Sequence, residues 1–378
     1  MKVGIYTLPF HSNYGGILQA WALQETLKKA GFDPVFLRQP GFQAPWALQP
    51  LAIGRRALLR FRGSPVPLLA RFHDERLETH IVRFWRKKLQ LSPVLGNSFE
   101  RAAFVRKEGL RAVVAGSDQI WRPGVTNPSY YLDFLDDVPS VRRIAYAASF
   151  GCDQPDFGTE TEHYGELIRK FDMISVREDD AVSLCERLAG IRAEHVVDPT
   201  LLLSTADYEA VATPKWNGGP IGYFLAGAKH FRSLLGEVSR RLGTTLTILP
   251  TASDKVDDLF PEPMPSVEDW IGTIATSNCV LTDSFHGTVF AILFRKPFVS
   301  LDNGSGAGRI RSLLRLLGME ERMPGVLPNA DSAVKLLQKA ITEETYARLD
   351  VLINRSRTFL EHALCQERIV NNCRPNHA

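Results

Sequence analysis

The stretch VLTDSFHGTVFAILFRKPFV (Val280–Val299) decides the fold. It opens as an apolar, β-branched run and breaks on Asp-Ser-Phe-His-Gly (Asp283–Gly287). It resumes as a helical pattern over Thr288–Arg295 and closes on a second short apolar run. A strand that turns into a helix and returns as a strand is the βαβ unit of a parallel sheet. The turn puts an acid, a hydroxyl, an imidazole and a glycine at the carboxyl end of a strand, where ligands of open parallel sheets bind. It also lies at a helix N-terminus, where free N–H groups and the helix dipole favour an anion. Ser284 can cap, Gly287 lets a ligand approach the backbone, and His286 exchanges a proton near neutral pH. The alternative is that Asp283 and Ser284 only cap the helix while His286 makes a structural hydrogen bond.

Outward from this unit, strand and helix alternate twice. Lys2–Leu8, Pro34–Leu37, Leu110–Ala115, Ile144–Ala148 and Met173–Val176 read as strands, with a helix over Gly15–Ala30. The pattern restarts after HVVDPTLLLS. Ile221–Leu225, Thr245–Leu249, Cys279–Thr282 and Phe298–Leu301 read as strands, and His230–Leu242, Val267–Thr276 and Ile310–Leu317 as helices. Short apolar strands between helical patterns predict α/β architecture with parallel sheets covered on both faces. We therefore expect two Rossmann-like, doubly wound domains facing across a cleft. They span 1–200 and 201–340, and a helical tail follows over 341–378. The 378 residues suffice for two domains of ordinary size.

Composition excludes little beyond the extremes. A net charge of +3 does not mark a nucleic-acid binder, and no recognition motif accompanies it. Cys152, Cys185, Cys279, Cys365 and Cys373 form no C-x-x-C pair, which fits thiols in a reducing compartment. No apolar run reaches the ~18 residues of a spanning helix, and no signal peptide is visible. The expected location is cytoplasmic. One region, about 50–90, breaks the alternation. Ten Arg and Lys lie between Arg55 and Lys88, interleaved with Leu58, Leu59, Phe61, Ile81, Phe84 and Trp85. Read plainly, these are surface helices. Read more sharply, they are a basic amphipathic patch for anionic lipid or a polyanionic substrate, peripheral at the inner face of a membrane.

Three more polar turns follow predicted strands. LPFHSNYGG (Leu8–Gly16) carries a Gly-Gly pair for close backbone approach but lacks dinucleotide-fingerprint spacing. AGSDQIW (Ala115–Trp121) offers Asp118 for sugar hydroxyls and Trp121 to stack on a ring; a plain Asx-turn is the other reading of Asp118. SVREDD (Ser175–Asp180) presents Arg177.

The runs NYGGILQAWALQETLKKAG, VVAGSDQIWRP, RIAYAASFG, SVRED, VVDPTLLL and TDSFHGTVFAILFRKPFV, in this order from Asn13 to Val299, resemble the polysaccharide pyruvyltransferase family. The resemblance implies a GT-B-like fold. It also implies transfer of a pyruvyl group from phosphoenolpyruvate to a sugar of a cell-surface polysaccharide, such as an exopolysaccharide, or of its lipid-linked precursor, as a ketal. The implied co-substrate is phosphoenolpyruvate, with no cofactor and no metal. His286 is then a donor-site acid or phosphate ligand, Arg177 the partner of the donor carboxylate, and Lys296 a further donor cation. Arg309, after the glycine-rich Asn303–Gly308 stretch, would cover the phosphate. Asp118 is the candidate base. Asn13, Tyr14, Gly15, Ser284 and Trp121 complete the candidate substrate site. The chain departs from the family at Ser284, where other members carry a basic residue two positions before the histidine. A GT-B glycosyltransferase using a nucleotide sugar, or a non-catalytic glycan-binding protein, are the alternatives.

Overall fold

The computed structural model describes residues 1–10, 13–40, 49–61, 70–152, 155–213, 218–255, 262–302, 307–325 and 328–365. The first half builds a sheet from β1 (Lys2–Tyr6), β2 (Asp33–Phe36), β3 (Ala112–Asp118), β4 (Arg142–Ala148), β5 (Met173–Val176) and β6 (Glu194–His195). All pairings are parallel and the order is β2-β1-β3-β4-β5-β6. Every residue of β3 and β4 is buried, which is why AVVAGSD and RRIAYAA do not alternate polar with apolar. The second half adds β7 (Pro220–Tyr223), β8 (Thr247–Leu249), β9 (Cys279–Thr282) and β10 (Phe298–Ser300), again parallel, in the order β10-β9-β7-β8.

Each order has one reversal, between β1 and β3 in the first sheet and between β7 and β9 in the second. At such a switch point the crossovers leave to opposite faces and open a crevice beyond the carboxyl ends. The two crevices face one another.

Helices cover both sheets. In chain order they are α1 (Tyr14–Lys29), α2 (Gln49–Phe61), α3 (Ala70–Lys88), α4 (Ser98–Glu108), α5 (Thr161–Arg169), α6 (Asp179–Ala189), α7 (Thr205–Glu209), α8 (Arg232–Leu242) and α9 (Val267–Thr276). They continue with α10 (Phe285–Leu293), α11 (Ala307–Leu317), α12 (Ala330–Gln338) and α13 (Glu343–Cys365). One apolar core runs from α1 through α7 into α9 and α10. Trp21 packs edge-on against Tyr208, which packs on Phe290 at 4.9 Å. The final helix ties the halves together. Phe359 of α13 meets Tyr146 of β4, Ser356 accepts from the Val197 amide at 3.0 Å, and Tyr346 donates to the Ile292 carbonyl at 3.1 Å.

Two local departures from the expected elements matter for the site. The helix after β9 begins at Phe285, not Thr288, so His286 and Gly287 lie in its first turn. The strand β4 carries a bulge at Ala147, whose φ is 49°, with a register shift between Ala145 and Ala148. Ser175 of β5 patches it, its hydroxyl accepting from the Ala147 amide and donating to the Ala145 carbonyl.

The basic segment divides in two. On α3, Leu77, Ile81, Phe84 and Trp85 are buried at helical spacing and join the main core, so this helix is an ordinary amphipathic cover. On α2 the order is inverted: Leu58 is 50% and Phe61 90% exposed. The Asn303–Gly308 stretch falls largely outside the described residues, apart from its last two, which open α11.

Candidate active site between the two sheets

The site is assembled where α1 of the first half meets α10 of the second. Asn13 caps α1, its side-chain carbonyl accepting from the Gly15 amide at 3.0 Å. This brings Gly15 and Gly16 to the cleft wall. A methyl group on Gly15 would land inside the imidazole of His286, and one on Gly16 would come within 3.5 Å of Asp118 Oδ2. Gly15 is required because the His286 ring from the other domain rests on the first turn of α1, whereas the approach of Asp118 to Gly16 is ordinary contact.

His286 is fixed from its own side by the turn before it. Ser284 caps α10 by accepting from the Gly287 amide at 3.2 Å, and Thr282 Oγ1 accepts from the Ser284 amide at 3.0 Å. Asp283 does not face the cleft; its two oxygens accept from the amides of Leu225 and Ala226 and pin the end of β7 to the end of β9. The imidazole is buried, with Nε2 3.7 Å from Asp198 Oδ2 and without a hydrogen-bond partner.

Asp198 is the hub that sequence reading missed. Its side chain is 0% exposed. Oδ2 accepts from Arg177 Nη1 at 2.7 Å and from Ser117 Oγ at 3.1 Å; Oδ1 accepts from the Thr200 amide and hydroxyl. Burial alone would raise its carboxyl, but His286, Arg177 and the Thr200 amide outweigh that and hold it far below the ordinary carboxylate range. The signal was present as the Asp-Pro pair at the end of an apolar run, yet its partners lie far away in sequence.

Arg177 is the other half of this pair. Its guanidinium, 1% exposed, lies 4.8 Å over the Phe285 ring, and Nη2 is 3.5 Å from Asp118 Oδ1. The fork expected to take a donor carboxylate in bidentate fashion is therefore turned inward, with Nη1 committed to Asp198. Asp118 has a φ of 83°, and Oδ1 accepts from the Gln119 amide at 2.9 Å. Burial pushes its carboxyl up, while Arg177, Arg309 and His286 together bring it below the usual value, so it is ionised at neutral pH.

Arg309, from the first turn of α11, lies over the same Phe285 ring at 5.7 Å. Its guanidinium meets no hydrogen-bond partner among the described residues, and Nε is buried. Burial, and then repulsion from Arg177, push it down to about 10, so it stays charged at neutral pH. Glu178 closes the far wall. Its Oε1 accepts from the Ser149 hydroxyl and the Phe150 amide, which fixes the loop after the β4 bulge.

Three candidates lie elsewhere. Trp121 is fully buried, stacked on Tyr131 at 5.3 Å, and its indole N–H donates to the Tyr130 carbonyl, so no face is left for a sugar. Tyr14 stacks on Trp270 at 5.4 Å and donates to the Pro265 carbonyl at 2.6 Å, joining the domains rather than a ligand. Lys296 follows the far end of α10, which is roughly 13 Å long. Its ammonium is lowered by burial against the pull of Glu209 and does not reach the cleft residues.

Two facing Rossmann-like domains, with the site at both switch points, define a GT-B-like fold. Solved structures of that class are similar over nearly the whole chain. The UDP-GlcNAc 2-epimerase of Neisseria meningitidis bound to UDP-GlcNAc matches at a TM-score of 0.52, with 10% identity, 96% of this chain and 99% of that one. The UDP-GlcNAc 2-epimerase of Methanocaldococcus jannaschii matches at 0.51, with 12% identity and 94% of each chain. The S. aureus MnaA–UDP co-structure matches at 0.50, with 12% identity, 92% of this chain and 90% of that one. A search of curated proteins finds no match. Residues 13–305 match the family described as polysaccharide pyruvyl transferase, and the chain belongs to that family.

Proposed function

We propose that the protein transfers a pyruvyl group from phosphoenolpyruvate to two hydroxyls of a sugar, forming a ketal on a cell-surface polysaccharide or its lipid-linked precursor. The observation that carries this reading is the placing, across one cleft, of the ionised Asp118 with His286 and with Arg309, whose guanidinium makes no hydrogen bond among the described residues. In the proposed sequence the methylene carbon of the enol phosphate takes a proton and becomes a methyl group. A sugar hydroxyl bonds to the adjacent carbon as its own proton leaves to a base. A second hydroxyl then closes the ring on the same carbon, and phosphate departs with the electron pair of the breaking C–O bond, taking up the proton that this hydroxyl loses. The overall change adds and removes no electrons, so the sequence draws on no redox cofactor.

Asp118, already ionised, is suited to accept the hydroxyl proton. His286, facing it over the glycine pair, is suited to supply the other. General acid–base help of this kind contributes ~10²–10⁴-fold. The donor's charge needs a cation, and Ser284 supplies none where other family members carry a basic residue. Arg309 fills that place from another helix, stacked on the residue between Ser284 and His286. Arg309→Gln is therefore expected to raise KM for phosphoenolpyruvate about tenfold or more while the acceptor KM holds. An unchanged donor KM would remove Arg309 from the donor site.

The decisive experiment incubates the protein with phosphoenolpyruvate and a lipid-linked oligosaccharide extract. Phosphate release should accompany the gain of a pyruvyl ketal by mass spectrometry. Release of a nucleoside diphosphate from a nucleotide sugar, with no ketal, would replace this reading by glycosyl transfer.

Such an acceptor lies on the cytoplasmic face of a membrane, and α2 is suited to meet it. No helix among the described residues is long and apolar enough to cross a membrane. The exposed Ile53, Leu58 and Phe61 of α2, beside exposed Arg55, instead form a peripheral contact for anionic lipid. Leu58→Ser with Phe61→Ser should abolish sedimentation with anionic vesicles, and wild-type sedimentation should weaken as salt shortens the ~8 Å Debye length. Equal binding to neutral vesicles would show that the basic residues play no part.

A further inference from the structure

A second pocket opens beside the site, beyond the carboxyl ends of β1 and β2. It is a cavity of ≈ 80 Å³ lined by Thr7, Phe10, Leu37, Arg38, Gln39 and Trp85. Thr7 joins it to the active site, because its hydroxyl donates to the Ser117 carbonyl, one residue before Asp118. From β2 to β3 is two strand spacings, about 10 Å.

The polar groups of this pocket do not balance. The Arg38 guanidinium lies 5.3 Å over the Trp85 indole, on a half-buried side chain, and meets no carboxylate among the described residues. Trp85 forms the apolar wall under it, 6% exposed, with its indole N–H buried and without an acceptor among the described residues. The amide of Gln39 is already spent: its oxygen accepts from the hydroxyls of Tyr6 and Tyr130, and its nitrogen donates to the Thr7 carbonyl. A half-buried cation on the pocket wall, stacked on Trp85 and with no carboxylate among the described residues, calls for oxygen atoms carrying negative charge.

We infer that this pocket binds an oxyanion of the acceptor, a sugar carboxylate or a phosphate of its lipid carrier, and so sets which acceptor is used. The inference rests on the pyruvyl-transfer reading only for the word acceptor. The anion site itself stands on Arg38 and Trp85. The arrangement holds the acceptor's charged end at β2 and leaves its hydroxyls to reach Asp118 at β3.

The test needs no turnover, so it separates this inference from the proposed reaction. Protein labelled with ¹⁵N at tryptophan is titrated with glucuronate, with geranyl diphosphate and with glucose, and the indole resonance of Trp85 is followed, assigned by Trp85→Phe. Saturable movement with glucuronate places an acidic sugar in the pocket, and movement with the diphosphate places the lipid carrier there; either supports the inference. Arg38→Gln should weaken the response at least tenfold, and Arg38→Lys should retain part of it. Movement with neither anion, an equal response to glucose, or undiminished binding by a folded Arg38→Gln protein would overturn it.

Discussion

His286→Ala is expected to lower kcat/KM by ~10²-fold or more, the loss that follows removal of a positioned acid or charged donor. The defect should appear in kcat as well as in donor binding, because the proposed reaction sets the imidazole at the reacting groups rather than at a remote part of the substrate. Its Nε2 makes no hydrogen bond among the described residues, but it stands 3.7 Å from Asp198 and helps hold that carboxyl down. Thermal stability should therefore fall less than in variants of Asp198 itself, because the Asp198–Arg177 pair stays intact here. A large fall in melting temperature with full activity per folded molecule would assign His286 to structure alone.

Asp198→Asn is expected to cost ~3–5 kcal/mol of stability, the penalty for leaving one member of a buried ion pair without its partner. Arg177 would keep Asp118, at 3.5 Å, and the more distant charge of Glu178 as counter-charges. The pH dependence has a definite sign. The folded Asp198 carboxyl lies below its unfolded value, so its contribution is complete above about pH 5 and fades as pH falls below that. The variant should lose this part of the acid limb. Denaturant titrations at neutral and acid pH measure both effects. Asp198→Asn combined with Arg177→Met should recover much of the loss, since it removes the buried guanidinium that the single variant leaves without its partner. A variant as stable as the wild type would show that Asp198 does not hold Arg177.

The fold was legible because its signals are local. Apolar runs of four to seven residues between helical patterns survive in any window of the sequence, as Lys2–Tyr6 and Cys279–Thr282 show. The start of α10 was read three residues late because Phe285, His286 and Gly287 look like turn residues until Ser284 is seen to cap them. The site was legible only where one turn carries it. His286, Asp118 and Gly15 belong to such turns. Trp121 and Tyr14 have the composition of ligand residues, but their burial is decided by distant rings, Tyr131 and Trp270, which no local pattern discloses. Asp198 failed in the opposite direction: an acid beside a proline reads as a linker until Arg177 and His286 arrive from other strands. Lys296 lies only ten positions from His286, but a helix of nine residues carries it to the wrong edge of the sheet.

The resting of His286 and Asp118 on adjacent glycines of α1 has a consequence for how this family diversifies. Neither half of the chain owns both members of the proposed acid–base pair. One member is inherited with the first domain and the other with the second, and their spacing is set by a helix too tightly approached to bear a side chain at position 15. Exchange of whole domains between relatives, the easy route to a new acceptor in a two-domain scaffold, therefore transmits function only if both parents keep the same bare turn and the same apolar seam behind it.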